Sequence, residues 1–314
     1  MHSRPLPVAI LAILVGLLAH VGAAWAVPAT WVAGTGSDAG ACPITAPCRT
    51  FQFAHGRTNA GGVINVLSAG SFGPLTIAKS ISIAADGVEA AIFGASSGAA
   101  IKIQAGAADI VSLRGLTIDL QGSGNIGISF LSGAALHVHN SVIRGSTDGI
   151  RFAPASGNSE LYLADSVIAT SSSRGVRVEP SGSAGAKVVL DRVRVENAPF
   201  SSFGIIISGF STSGSIKATV RETVTAGNAT IGIVASEDGS GTTTVMIDRS
   251  ASVDNTTGIQ ATNAGATILI GDSTVTRNTT GLKPFSGGVI NSYGTNKVAG
   301  NTNDGAATNI IPMQ

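Results

Sequence analysis

Apolar and polar residues alternate along most of this chain, in runs too short for a helix. Leu136-His137-Val138-His139, Leu161-Tyr162-Leu163 and Val245-Met246-Ile247 each space their apolar residues two apart, the period of a strand with one buried face. The runs end at Gly, Asn, Asp or Ser, the residues that accept tight bends.

These runs belong to a longer unit. Its opening reads Gly127-Ile128-Ser129-Phe130, Gly149-Ile150-Arg151-Phe152, Gly175-Val176-Arg177-Val178, Gly204-Ile205-Ile206-Ile207, Gly232-Ile233-Val234, Gly258-Ile259-Gln260-Ala261 and Gly281-Leu282-Lys283. Successive glycines are 22, 26, 29, 28, 26 and 23 residues apart. Midway through most units an alternating strand closes on an amide or an acid: Asn140, Asp165, Asp191, Glu222, Asp248 or Asp272. Several units finish alike, at Asn228-Ala229-Thr230, Asn255-Thr256-Thr257 and Asn278-Thr279-Thr280.

In-phase short strands at this period predict a solenoid. The expected fold is all-β: a right-handed, single-stranded parallel β-helix of about ten coils, each rising about 4.8 Å. A leucine-rich repeat would need its Asn/Cys-anchored consensus, and a β-sandwich would not keep seven glycines in phase. Gly is expected to supply positive φ at the bends, with Asn228, Asn255 and Asn278 stacking as an amide ladder. The same three tripeptides match the glycosylation sequon, and the recurring turn explains them better. Asp165, Asp191, Asp248 and Asp272 are likewise expected at bends.

Four segments follow. Residues 1–26 read as a secretory signal: His2 and Arg4, an apolar run over 8–18, then Ala24-Trp25-Ala26. Residues 27–61 form an N-terminal cap, with a disulfide loop between Cys42 and Cys48 and a short capping helix from Thr50 to His55. Residues 62–300 form the β-helix. Residues 301–314 make a C-terminal cap or tail, because an open stack needs its edges blunted.

Composition narrows the function classes. With 19 basic and 18 acidic residues the net charge is +1, which favours neither nucleic acid nor a membrane surface. Two cysteines in an exported chain favour a disulfide over a metal site, which would lack a fourth ligand beside His55. After signal cleavage no stretch could span a bilayer. No cofactor and no metal are expected, and the chain is expected to act as a monomer in the periplasm or outside the cell.

Trp31-Val32-Ala33-Gly34-Thr35-Gly36, Pro47-Cys48-Arg49-Thr50-Phe51 and Gly61-Gly62-Val63-Ile64-Asn65-Val66 resemble the cap and first coil of the pectate-lyase-like superfamily. Val289-Ile290-Asn291-Ser292-Tyr293-Gly294 is similar to its C-terminal coils, and the likeness spans nearly all of the mature chain. It implies small exported bacterial β-helix proteins, a scaffold shared by lyases, hydrolases, esterases, binders and adhesins.

In enzymatic relatives the active groups stand on the outer face of one sheet. Here Gly-Ile-x-Phe directs Ser129, Arg151, Arg177, Ile206, Val234, Gln260 and Lys283 outward, a column without a carboxylate. A glycosidase needs two carboxyl groups and a calcium-dependent lyase needs a cluster of them. Asp165 and Asp191, on successive coils, are the pair that could approach a cation. Arg151 and Arg177 stack as like charges, which an anionic sugar or Glu179 could offset. His137 and His139 share one outward face beside Tyr162, as an acid/base or ligand pair or as two solvated positions. The reading is an exported, non-catalytic protein, structural or binding a polysaccharide or other cell-surface component, with Arg151, Arg177, His137 and His139 as candidate ligand-binding residues. The alternative is a polysaccharide lyase or glycoside hydrolase acting on an anionic glycan.

Overall fold

The computed structural model describes residues 27–95, 98–196, 202–238 and 240–312; the expected signal over 1–26 lies outside them. The chain visits three sheets in turn and pairs each strand, in parallel, with its counterpart one coil away. Sheet 1 holds ten strands, from Leu75–Ile77 to Asn303–Gly305; sheet 2 holds twelve, from Val27–Val32 to Asn309–Ile310. Sheet 3 holds ten, from Gly70–Ser71 to Lys297–Val298. This is a parallel β-helix. Its last strands reach beyond residue 300, so the ladder continues into the segment the sequence reading assigns to the tail.

The interior is built from columns of matched side chains. Ile101, Ile128, Ile150, Val176, Ile205, Ile233, Ile259 and Leu282 lie in register along sheet 1, all buried. Each such burial contributes about 1.5–3 kcal/mol. Phe130 and Phe152 stack on adjacent coils with ring centroids 4.5 Å apart.

The in-phase glycines have a different cause from the one expected. None of the seven has positive φ. A Cβ on Gly175 would instead lie 2.1 Å from Val195 Cγ1 and 2.7 Å from the Gly204 carbonyl oxygen. They are glycine because the coil is too narrow there for a side chain. Other glycines, such as Gly115, Gly145 and Gly227, do supply positive φ, but at the bend from sheet 2 to sheet 3 it falls mostly on Asn140, Asp165, Arg192, Glu222, Arg249 and Asp272, with φ between 44° and 53°. Asp191 and Asp248 are therefore not bend residues. They close the strands Gly185–Asp191 and Thr242–Asp248, and the arginine after each takes the bend.

Side chains extend the hydrogen-bond ladder through both bends. After the sheet 2 strand, Ser166 Oγ accepts from the Ser141 amide (3.1 Å), and Ser250 Oγ from the Thr223 amide (3.2 Å). Ser273 Oγ accepts from the Ser250 amide at 3.1 Å, and each of these hydroxyls donates back to the carbonyl two residues earlier. Before the sheet 1 strand, the buried Asn228, Asn255 and Asn278 form the second ladder. Asn255 Oδ1 accepts from the Asn228 amide and Nδ2, Asn278 Oδ1 from Asn255, and Asn301 Oδ1 from Asn278, all within 2.9–3.1 Å. Asp304 Oδ1 supplies the acceptor that a further coil would have offered to Asn301. The sequon asparagines are thus interior groups whose Nδ2 atoms all donate within the ladder, while Asn228 Oδ1, at its upper end among the described residues, is buried without a partner.

The N-terminal end is closed by the helix Phe51–Arg57, which starts at Thr50, whose Oγ1 accepts from the Phe53 amide. The Cys42–Cys48 disulfide and Asp38, which accepts from the Arg49 and Thr50 amides, tie down the chain before it. The helix buries Phe51, Ala54 and His55 over the first coils. His55 Nε2 is buried without a partner, and burial, then the Lys79 charge, lowers its pKa to about 4.

Two outcomes follow from these packing facts. Asn278→Ala strips the acceptor from two Asn255 donors, and buried unmatched donors cost about 1–3 kcal/mol each, so urea unfolding should shift by about 2–4 kcal/mol. Because His55 stays neutral when folded, the unfolded chain binds the extra proton between pH 6.5 and 4. Stability should be full above pH 6.5 and fall by about 1–3 kcal/mol toward pH 4; His55→Leu should flatten that segment of a stability-versus-pH curve.

Candidate binding face

Sheet 1's outer face brings a group of charges together with apolar surface. The register runs Lys102, Ser129, Arg151, Arg177, Ile206, Val234, Gln260, Lys283. A second outer column runs beside it. Gly149 and Ile150 both face inward, so strand alternation breaks at the glycine and the preceding residue returns to the outer side. Asp148, Arg174, Phe203 and Ile231 align there. The column from Ser129 to Lys283 carries no carboxylate, but Asp148 stands beside it, because the Gly-Ile pair breaks the strict alternation on which that column was read.

Asp148 is only 5% exposed in its side chain and accepts from Arg174 Nη1 and Arg177 Nη1, each at 3.4 Å. Arg177 also donates to Glu179, the pairing its two-residue spacing implies. Arg151 lies directly beside Arg177 in register, yet it has no ion pair among the described residues, and its buried Nε lacks an acceptor. Three guanidinium groups thus meet two carboxylates, and the unmatched charge belongs to Arg151.

Beyond the arginines the face turns apolar. Phe203, Ile206, Phe210, Ile231 and Val234 line a shallow groove of about 270 Å³, with Ser208, Ser236, Gln260 and Thr262 along its other side. Phe210 is 46% exposed. At the far end Lys283 Nζ sits 5.3 Å over the Phe285 ring. An arginine cluster braced by carboxylates suits recognition of a planar anion. Asp148 is saturated by two guanidinium groups, an arrangement that positions charge and leaves no free base.

Four of the five repeated acids, all but Asp272, are likewise held by arginine. Arg192 fills the space between Asp165 and Asp191, donating from Nε to Asp165 Oδ1 at 2.6 Å and from Nη1 to Asp191 Oδ2 at 2.5 Å. Arg221 adds a second bond to Asp191, at 2.9 Å. These arginine hydrogen bonds hold both carboxyls below the usual range. The pair weighed as a cation site has a guanidinium where the cation would be. Arg249 similarly touches Glu222 and Asp248, and Asp272 occupies a bend. His137 and His139 stand on sheet 2, away from this groove. Among the described residues, no group of three or more His, Cys, Asp or Glu side chains could hold a metal ion.

No family model and no curated protein matches the chain. Among solved structures, the pectate lyase Pel9A superposes with a TM-score of 0.51 over 86% of this chain and 70% of its own, at 13% identity. The fold is the pectate-lyase-like β-helix. A Geobacillus virus E2 protein, ORF18, also matches, with a TM-score of 0.33 and 12% identity over 73% of this chain and 51% of its own. Identities this low speak to the fold and not to the reaction. Within the pectate-lyase-like β-helix, the arginine–apolar groove is the candidate site.

A double-mutant cycle tests whether Asp148 braces the cluster. Asp148→Ala and Arg177→Ala should be coupled by about 1–2 kcal/mol in chemical unfolding, as for contacting charged pairs. A coupling near zero would mean the carboxylate does not hold the guanidinium.

Proposed function

We propose that this protein is an exported, non-catalytic β-helix that binds an anionic polysaccharide along the outer face of sheet 1. The observation that carries the reading is Arg151: a partly buried guanidinium without a counter-charge, stacked on an arginine already braced by Asp148 and Glu179. Burying a charge without a partner is unfavourable, and a ligand carboxylate or sulfate would supply the missing acceptor through a bidentate contact. The apolar strip at Phe203, Ile206 and Phe210 would take the faces of the sugar rings. Pel9A is named as a pectate lyase, so the same scaffold has accommodated a polyuronate.

Binding is favoured over chemistry because the carboxylates beside the arginines, Asp148 and Glu179, are ion-paired, while Glu237 behind the groove is fully buried and takes hydrogen bonds from Thr243 and backbone amides. General-base proton removal needs a free basic group within about 2.6–3.2 Å of the proton it takes, and two-carboxyl hydrolysis needs an acid and a nucleophile or base. Export is supported by the signal-like first 26 residues, by the Cys42–Cys48 disulfide, and by a described chain in which no helix is long and apolar enough to cross a membrane.

Affinity electrophoresis against polyuronates, sulfated glycans and neutral glycans tests the proposal. The wild type should be retarded by the anionic polymers alone, with retardation weakening as salt rises. Arg151→Gln, which breaks no ion pair, should reduce binding at least about tenfold, the loss of a charge-assisted contact of 1.4 kcal/mol or more. Release of unsaturated or reducing ends by the wild type would replace binding with catalysis.

A further inference from the structure

Sheet 2 carries a cluster that neither the ion-pair ladder nor the sheet 1 groove uses. On the strand Ala135–His139, His137 and His139 flank the buried Val138, so both imidazoles leave the same outer face. Tyr162 stands opposite His137 on the next coil. The two imidazole centroids are 6.5 Å apart, and the Tyr162 ring lies 5.1 Å from His139 and 6.2 Å from His137. All three side chains are half-buried. Among the described residues, neither imidazole has a hydrogen bond or an ion pair, so their nitrogen lone pairs are uncommitted.

The charges nearby are already matched. Arg114, beside His139 one coil earlier, pairs with Asp86, and Asp165, at the bend one coil later, is held by Arg192. Burial, then the adjacent His137, holds His139 below the ordinary imidazole range despite the opposing pull of Asp165.

We propose that His137 and His139 chelate a borderline divalent transition cation, Cu²⁺ ahead of Zn²⁺, beneath the ring of Tyr162. Alternate positions on a strand place two side chains about 6.6–7 Å apart at their origins. Bonds of about 2.0–2.1 Å from metal to imidazole nitrogen put the ring centroids roughly 5–6.5 Å apart, from tetrahedral to trans geometry. The observed 6.5 Å is at the wide end of that span, and small torsions of two surface side chains reach the rest. Imidazole suits copper and zinc, whereas the oxygen-rich shell that calcium or magnesium needs is missing from this cluster, and the Irving–Williams order ranks copper first. Two protein ligands leave the remaining positions to water or to a donor on a bound molecule.

The probe is Cu²⁺ added as a simple salt to protein carrying no histidine tag, followed by calorimetry and electron paramagnetic resonance. One ion per chain should bind, with the hyperfine pattern of two nitrogen ligands, and added acid should release it, because a protonated imidazole cannot ligate. His137→Gln and His139→Gln should each weaken binding at least about tenfold, a contribution of 1.4 kcal/mol or more per ligand, and the pair together should abolish it. A wild type that binds no more tightly than the double variant, or a spectrum without two nitrogen ligands, overturns the proposal. The spectrum is read on the wild type alone, so the test survives a variant that fails to fold.

Discussion

Apart from the end strands of each sheet, every described strand finds its hydrogen-bond partners in the coil before and the coil after, not within its own coil. A residue at one structural position must therefore coexist with its own counterpart about 4.8 Å away along the axis. Apolar side chains satisfy that constraint by stacking, as Ile128, Ile150 and Val176 do. Asparagines satisfy it because an amide is both donor and acceptor, so Asn228, Asn255, Asn278 and Asn301 can repeat without limit until Asp304 ends the series. Hydroxyls satisfy it by accepting from one coil and donating to their own.

Charges repeat less readily, since like charges directly opposite destabilise a sheet, and few positions do it, among them Arg151 with Arg177 and Lys187 with Lys217. The chain answers with an offset pairing: an acid in one coil meets an arginine in the next. Asp86 with Arg114, Asp119 with Arg144, Asp165 with Arg192, Asp191 with Arg221, Glu222 with Arg249 and Asp254 with Arg277 all follow this rule. Exposed pairs of this kind add little stability individually. Their larger consequence is chemical, because a carboxylate held by a guanidinium is a poor base and a poor ligand for calcium.

The sequence made the architecture legible because a repeat is stated many times over: glycine spacing, strand alternation and terminal asparagines all gave one period. The details of the bends were less legible. Gly175 reads as a flexible residue, while its role is to leave room for Val195 and for the Gly204 carbonyl. Arg192 and Arg249 occupy left-handed bends that Asn or Gly would ordinarily claim, so the adjacent Asp191 and Asp248 were placed there instead. At the candidate site, Arg151, Arg177 and Glu179 follow from period 2. Asp148 does not, since the Gly149-Ile150 pair resets the alternation and returns it to the arginines' side. A Gly followed by an aliphatic residue, with a charge just before, was the signal available.

A solenoid also gives a rule for where to look for function. What recurs in every coil belongs to the scaffold, and what occurs once needs another reason. Arg151 beside Arg177 is a break in the charge rule: two cations in adjacent coils, with the compensating carboxylates pushed into other columns and still one short. The His137, His139 and Tyr162 cluster is a second break, three ring side chains where neighbouring coils place Ser112, Val189 and Thr219. Neither exception improves the stacking that surrounds it. Both face outward, on different sheets, and both leave nitrogen groups without protein partners. The scaffold tolerates such exceptions because neighbouring coils on either side hold the backbone fixed. The parallel β-helix can thus present a local recognition surface without altering the ladder beneath it.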